Sequence, residues 1–195
     1  MKKIAIILSA FFVLTAFTTT VSTWQNDDPH SQLGFTVKHL GIADVSGTFN
    51  DFDVTVTSSK PDFSDAVFEL TANVASLDTR VEARDNHLKS ADFFNAEKFP
   101  AMTFKSKDVR FNGDVPAAAD GELTLLGVTR PLTLSISKVV CAQHPFFKKE
   151  DCGAEITGIL KRSDFGMNKY IPAVGDEVTL RIQVESLKDQ ADAVR

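Results

Sequence analysis

The 195-residue sequence predicts an all-β domain of about eight antiparallel strands, a barrel or a sandwich, with one short helical insertion. Three features point there. Apolar and polar residues alternate along most of the chain, the period of a half-buried strand. Glycine- and proline-containing turn signals separate the alternating runs at short spacing. Residues 79–100 alone depart from the pattern, with Val81, Arg84, Leu88 and Ala91 recurring three and four residues apart, as on a helix.

In chain order, Leu33, Phe35 and Val37 alternate with polar or small neighbours and predict the first strand. Val45, Gly47 and Phe49 restart the alternation, and Phe52, Val54 and Val56 continue it in the opposite phase, so a bulge is expected near Asp51. Phe68, Leu70, Ala72 and Val74 predict the next strand. In the helical stretch, Asp78 or Thr79 is placed to cap the start, and Phe99-Pro100 stops any helix. Met102, Phe104 and Ser106 alternate after it, with a phase shift before Val109 and Phe111. Gly121, Leu123 and Leu125 form a strand that turns tightly at Gly127 and runs back through Leu132, Leu134 and Ile136. A loop bounded by Cys141 and Cys152 follows, then Ile156, Gly158 and Leu160, an irregular connection over residues 162–171, and a last strand at Val178, Leu180, Ile182 and Val184. The polar tail from Lys188 is expected to fray.

Ahead of the strands, Lys2 and Lys3 precede an apolar run over residues 4–17 and a small, polar stretch over 18–23, the plan of a secretory signal peptide. The expected division is residues 1–22 as signal peptide and 23–195 as a single domain. The apolar run is shorter than the ~20 residues of a transmembrane helix, so no integral membrane segment is expected after cleavage. Losing Lys2 and Lys3 takes the formal net charge from −5 to −7, which argues against a nucleic-acid or anionic-membrane binder. Cys141 and Cys152 are the only cysteines. In an exported chain two cysteines suggest one disulfide; a metal site using Cys141, His144 and Cys152 is the weaker option, since no fourth ligand is evident.

The chain has 16 phenylalanines, of which Phe11, Phe12 and Phe17 lie in the signal, but one tyrosine and one tryptophan. Phenylalanine suits an interior with nothing polar nearby. Such an interior is either filled by side chains or holds an apolar ligand, and composition alone favours filling. No Gly-x-Ser-x-Gly elbow, phosphate loop or zinc-protease helix occurs. Asp85 with His87, or Arg162 with Asp164, offers acid-base chemistry, but both pairs fit loop-pinning better, so no enzyme is expected and no catalytic residue is assigned.

Several stretches together resemble the YceI-like polyisoprenoid-binding family. These are Pro29-His30-Ser31, Phe35-Thr36-Val37-Lys38-His39-Leu40-Gly41, Gly47-Thr48-Phe49, Arg84-Asp85-Asn86-His87-Leu88 with Asp92-Phe93-Phe94, Phe99-Pro100 with Phe104-Lys105-Ser106, Gly121-Glu122-Leu123-Thr124 with Gly127-Val128-Thr129-Arg130, and Arg162-Ser163-Asp164-Phe165-Gly166-Met167. Each is weak alone; the ordered set is specific. The resemblance implies a lipocalin-like barrel, a bacterial periplasmic or secreted location, no established catalytic residues and an interior pocket for a long isoprenoid or lipid. It reverses the preference for a filled core. The cysteine-bounded segment is a departure from the pattern and leaves the shape of that end of the barrel open.

Taken with the strand phases, the resemblance makes Phe35, Phe49, Phe68, Leu70, Met102, Phe104, Leu123, Leu125, Leu134 and Ile136 the expected lining residues. Leu88, Phe93 and Phe94 are expected to close one end, held by Arg84 or Asp85 against the 162–164 connection. The expected activity is non-enzymatic binding, transport or storage of a polyisoprenoid, an isoprenoid quinone or a similar amphiphile, with no cofactor beyond that bound lipid and a homodimer as one assembly. The alternatives are an enzyme of lipid or quinone metabolism using the His87/Asp85 region, and a secreted interaction module presenting the Cys141–Cys152 loop through Phe146, Phe147, Lys148 and Lys149.

Overall fold

A computed structural model describes residues 20–189. The expected signal peptide therefore lies, up to residue 19, outside the described residues. The strands are β1 (Ser22–Asn26), β2 (Gln32–His39), β3 (Ala43–Phe49), β4 (Phe52–Ser58), β5 (Val67–Asn73), β6 (Leu77–Asp78), β7 (Ala101–Asn112), β8 (Val115–Leu125), β9 (Val128–Gln143), β10 (Glu150–Lys161) and β11 (Val174–Lys188), with one helix, α1 (Glu82–Lys89). They form a closed antiparallel barrel of eight staves, because β1/β2, β3/β4 and β5/β6 are each one stave broken once. β11 closes the cylinder by pairing with β2 along Val178–Gln183 and with β1 at Ser186–Lys188.

The breaks are written in the local sequence. Pro29 sits in the 3-10 turn that divides the first stave. Asn50 and Asp51 divide the second, so the change of phase expected to mark a bulge marks a two-residue bend between β3 and β4 instead. Asn73 Oδ1 accepts from Ala75 N (3.0 Å) at the third break. The last two are stitched together: Asp51 N donates to Ser76 Oγ (3.0 Å) and Asn73 Nδ2 to Asp51 Oδ2 (2.8 Å). The phase shift before Val109 comes from a register slip between Ser106 and Asp108 where β7 meets β8.

The alternating apolar side chains point inward, and Leu33, Leu77, Leu123, Leu134, Ile182, Val54 and Val74 are the largest fully buried ones. Gly121 faces inward as well. A Cβ there would lie 2.6 Å from the Phe104 ring and 2.3 Å from the Lys105 carbonyl oxygen, so the ring occupies the space that glycine leaves open.

Two readings of local sequence are corrected. The first strand was missed: β1 carries no apolar alternation beyond Trp24, and it forms only because β4 and β11 supply ladders on both sides. The cysteine-bounded segment is not a loop insertion. β9 and β10 run through it as one long hairpin, Cys141 lies opposite Cys152 in their register, and only residues 144–149 form the turn. The two cysteines are disulfide-bonded, with Cα atoms 4.1 Å apart. The hairpin thus extends one end of the barrel, called here the hairpin end. The opposite, helix end carries α1, the β8–β9 turn and the β10–β11 connection.

A candidate ligand cavity inside the barrel

Three apolar voids lie in sequence along the barrel. The largest, about 100 Å³, is at the hairpin end, bounded by Trp24, Phe63, Phe68, Leu134, Ile136, Val139, Cys152, Val184 and Ser186 among others. The second, about 60 Å³, lies under the helical segment and is bounded by Phe35, Phe49, Leu88, Phe93, Phe94, Met102, Leu125, Arg162 and their neighbours. Between them is a constriction of about 10 Å³ formed by Leu33, Leu70, Met102, Phe104, Leu123, Leu132, Leu134, Leu180 and Ile182. Leu134 belongs to both the constriction and the first void, and Met102 and Leu180 to both the constriction and the second.

All thirteen residues expected to touch a ligand border one of these voids. Phe68 and Ile136 are at the hairpin end; Leu70, Phe104, Leu123 and Leu134 are at the waist; Phe35, Phe49, Leu88, Phe93, Phe94 and Leu125 are at the helix end, and Met102 spans the last two regions. Sequence reasoning omitted several wall residues, Leu33, Phe63, Leu132 and Arg162 among them. Ile156, Leu160, Val178, Leu180, Ile182 and Val184 stood on the apolar phase of strands already recognised, so extending the same rule would have found them. Val139 is out of phase with Ile136 because the register slips where β9 meets β10, and Cys152 was hidden by reading the hairpin as a loop. Trp24 and Ser186 carry no periodic signal of their own.

The helix end is held by polar contacts. Val81 occupies the position before α1 and makes no side-chain cap bond, so neither Asp78 nor Thr79 caps the helix as expected. The contact is reversed: Asp85, inside the helix, accepts from Thr79 N (2.8 Å) and Thr79 Oγ1 (2.5 Å). Arg84 donates from Nε to Thr79 Oγ1 (2.7 Å) and from Nη2 to Thr79 O (2.8 Å). Burial works against ionisation of Asp85, but the two Thr79 bonds prevail and hold its pKa below the ordinary value. Arg84 and Asp85 therefore secure the segment to its own N-terminal strand, and the expected contact with the 162–164 connection is made by other residues. Lys169 Nζ pairs with Asp92 (2.5 Å), His87 Nε2 also meets Asp92 (3.0 Å), and the Phe93 ring lies 6.0 Å from both the Arg162 guanidinium and the Tyr170 ring.

Arg162 organises the connection itself. Its side chain is 3% exposed and donates to four carbonyl oxygens: Gly175 (2.9 Å), Met167 (2.7 Å), Lys169 (2.8 Å) and Val174 (2.9 Å). Burial pushes its pKa down, with Asp176 opposing. The turn closes at Gly166, whose φ of 86° favours glycine. Ser163 donates from N (2.9 Å) and Oγ (2.8 Å) to Asp176, so the anchoring carboxylate is Asp176 and not Asp164.

These contacts bear on the chemistry available. His87 faces Asp92 and the edge of Phe93 and does not pair with Asp85, while Arg162 is committed to carbonyls; neither anticipated acid-base pair is assembled. Cys141 and Cys152 meet Glu150 in a potential metal-ligand grouping, but the thiols are spent in the disulfide. On the outer wall, ligand atoms of Asp27, His30 and Glu185 lie within 4.8 Å of one another, with His30 Nδ1 bonded to Asp27 Oδ2 at 2.5 Å. No helix among the described residues is long and apolar enough to cross a membrane.

The profile of the YceI-like domain matches residues 24–186. Protein YceI of Escherichia coli O17:K52:H18 is 37% identical over 161 residues, 83% of each chain. The crystal structure of the Campylobacter jejuni YCEI protein superposes with a TM-score of 0.67 at 31% identity, covering 78% of this chain and 90% of that one. A polyisoprenoid binding domain from Saccharophagus degradans shares the fold at a TM-score of 0.60 and 11% identity, covering 88% of this chain and all of that domain. A barrel of eight antiparallel staves with an apolar, interrupted interior, together with a match over nearly all its strands, establishes that this chain belongs to the YceI-like domain family.

Proposed function

We propose that this protein binds a polyisoprenoid, an isoprenoid quinone or a similar long-chain amphiphile inside the barrel, and carries or stores it without chemical change after signal-directed export to the bacterial periplasm. The observation that carries the reading is the line of apolar voids from one end of the barrel to the other. The name of the Saccharophagus degradans domain adds support from a shared fold. The thirteen residues that border the voids and were expected from the sequence would contact the chain, and the reading requires neither a cofactor nor a catalytic group. An isoprenoid burying roughly 400 Å² gains about 10 kcal/mol before the costs of association. The waist must widen to admit it, and Met102, unbranched and adaptable, is suited to that movement.

Native mass spectrometry and organic extraction of the exported protein should reveal a co-purifying prenyl lipid, and the stripped protein should take one up. Stripped, folded protein that accepts no prenyl chain would overturn the reading. One observation favours a second role, as an interaction module: Phe146 and Phe147 at the hairpin tip are 85% and 60% exposed. Capture of a partner by both empty and lipid-filled protein, lost on Phe146→Ser, would support it.

A further inference from the structure

Polar groups that close the helix end find partners, but at the hairpin end three buried side-chain atoms do not, Asp151 Oδ1 off the void and two on its wall. Trp24 Nε1 and Ser186 Oγ are buried and have no hydrogen-bond partner. Both residues are 4% exposed, and both belong to the wall of the largest void. Trp24 pairs with Lys188 across the β1–β11 ladder, which places Ser186 on the same inward face at the diagonal position, on the order of 7 Å away. A buried donor left unpaired costs about 1–3 kcal/mol, and two on one wall of an otherwise apolar void mark the place where an acceptor is missing.

We propose that this void holds the polar end of the ligand, with Trp24 Nε1–H and Ser186 Oγ–H donating to a neutral acceptor oxygen: a ketone, quinone, ester or amide carbonyl at the end of a long apolar chain. This rests on the lipid-binding reading and gives it a direction, with the carbonyl at the hairpin end and the chain running through the waist toward Phe93. The donors and the surroundings select the acceptor. Indole N–H is only a donor, so a ligand group that must itself donate gains nothing from Trp24. The other side chains bordering the void are apolar or a disulfide sulfur. The nearest cation, Lys188, lies 4.8 Å from the Trp24 ring centroid but is paired with Glu150 at 3.2 Å. A phosphate or carboxylate buried here would lack a countercharge.

Trp24 is the only tryptophan in the chain, so its fluorescence reports on the site directly. The probes are a C20-class prenyl ketone and the prenyl hydrocarbon of matched length, added to stripped, folded protein. The ketone should bind more tightly than the hydrocarbon and shift or quench the Trp24 emission. Trp24→Phe, which keeps a ring and removes the donor, and Ser186→Ala should each weaken ketone binding about three- to tenfold. Hydrocarbon binding, followed like ketone binding by displacement of a fluorescent apolar probe, should weaken less, so that the ketone's advantage over the hydrocarbon is lost in both variants. Equal affinity for the two probes, or equal losses on both in the variants, would mean that these donors face only trapped water, and would remove the polar subsite while keeping the lipid-binding reading. Failure of both probes to bind would remove the subsite and that reading together.

Discussion

The two ends of the barrel are built on opposite principles. At the helix end, Arg162 reaches four carbonyls, Thr79 is clasped by Arg84 and Asp85, and Asp92 joins the helical segment to Lys169. At the hairpin end, the void is bounded by side chains on long strands, and Trp24 and Ser186 remain unpartnered. A fully satisfied polar network fixes one arrangement of a loop, whereas unsatisfied buried groups leave an end able to gain from something new. The first end is suited to staying shut and the second to receiving a ligand.

Four changes test that contrast. The largest effect is expected from Arg162→Met, which removes a buried cation and orphans four carbonyls; it should cost about 3–5 kcal/mol, measured by urea unfolding. A loss below 1 kcal/mol would mean that the helix end does not depend on this hub. Phe93→Ala should cost about 3 kcal/mol and, because the ring borders the second void, speed ligand release severalfold in stopped-flow chase. Unchanged release would reduce the segment to a patch over apolar surface. Replacing Cys141 and Cys152 by serine should cost about 2–3 kcal/mol while far-ultraviolet circular dichroism retains the barrel signal; loss of that signal would make the hairpin as essential as the Arg162 hub.

The smallest effect has the opposite sign. Burial raises the Glu185 pKa, and Asp151 beside it raises it further. A raised carboxyl contributes stability that is complete below its ordinary value near 4.5 and is lost as pH rises through the folded value. Glu185→Gln should therefore stabilise the protein by a few tenths of a kcal/mol near neutrality and leave it unchanged well below pH 4.5. Asp92 behaves in reverse. Its bonds to Lys169 and then His87 lower its pKa, so its contribution is present above the ordinary value near 3.8 and fades as acid titrates through the lowered one. Thermal unfolding across pH should show the Glu185→Gln difference growing from acid to neutral; a constant offset would assign the effect to packing.

The barrel was legible because alternation repeats on every long strand: Phe68 to Ala72, Leu123 to Leu125 and Leu180 to Val184 each state which face is inside. The lining was legible for the same reason. Arg162 and Asp176 show where that rule stops, since the bonds of Arg162 to carbonyls 5 to 13 residues on, and of Asp176 to Ser163, leave no period in the chain. Thr79 and Asp85 were visible as polar neighbours of a helix start, yet local sequence does not reveal which of them is donor and which acceptor. Trp24 was obscured most completely, because its burial depends on strands more than 30 and 160 residues away.

On the proposed reading, the narrow waist would make cargo and architecture inseparable. An empty barrel keeps its core in pieces, with voids on both sides of Leu123 and Met102 that no side chain fills. A ligand threading the waist would supply the missing hydrocarbon and act as a removable part of the core. At a concentration one hundred times its dissociation constant it would add about 2.7 kcal/mol to folding, or roughly 5–10 °C for a domain of this size. Heat and proteases would then act first on the empty molecules, and a mixed population under stress would sort itself toward the loaded form.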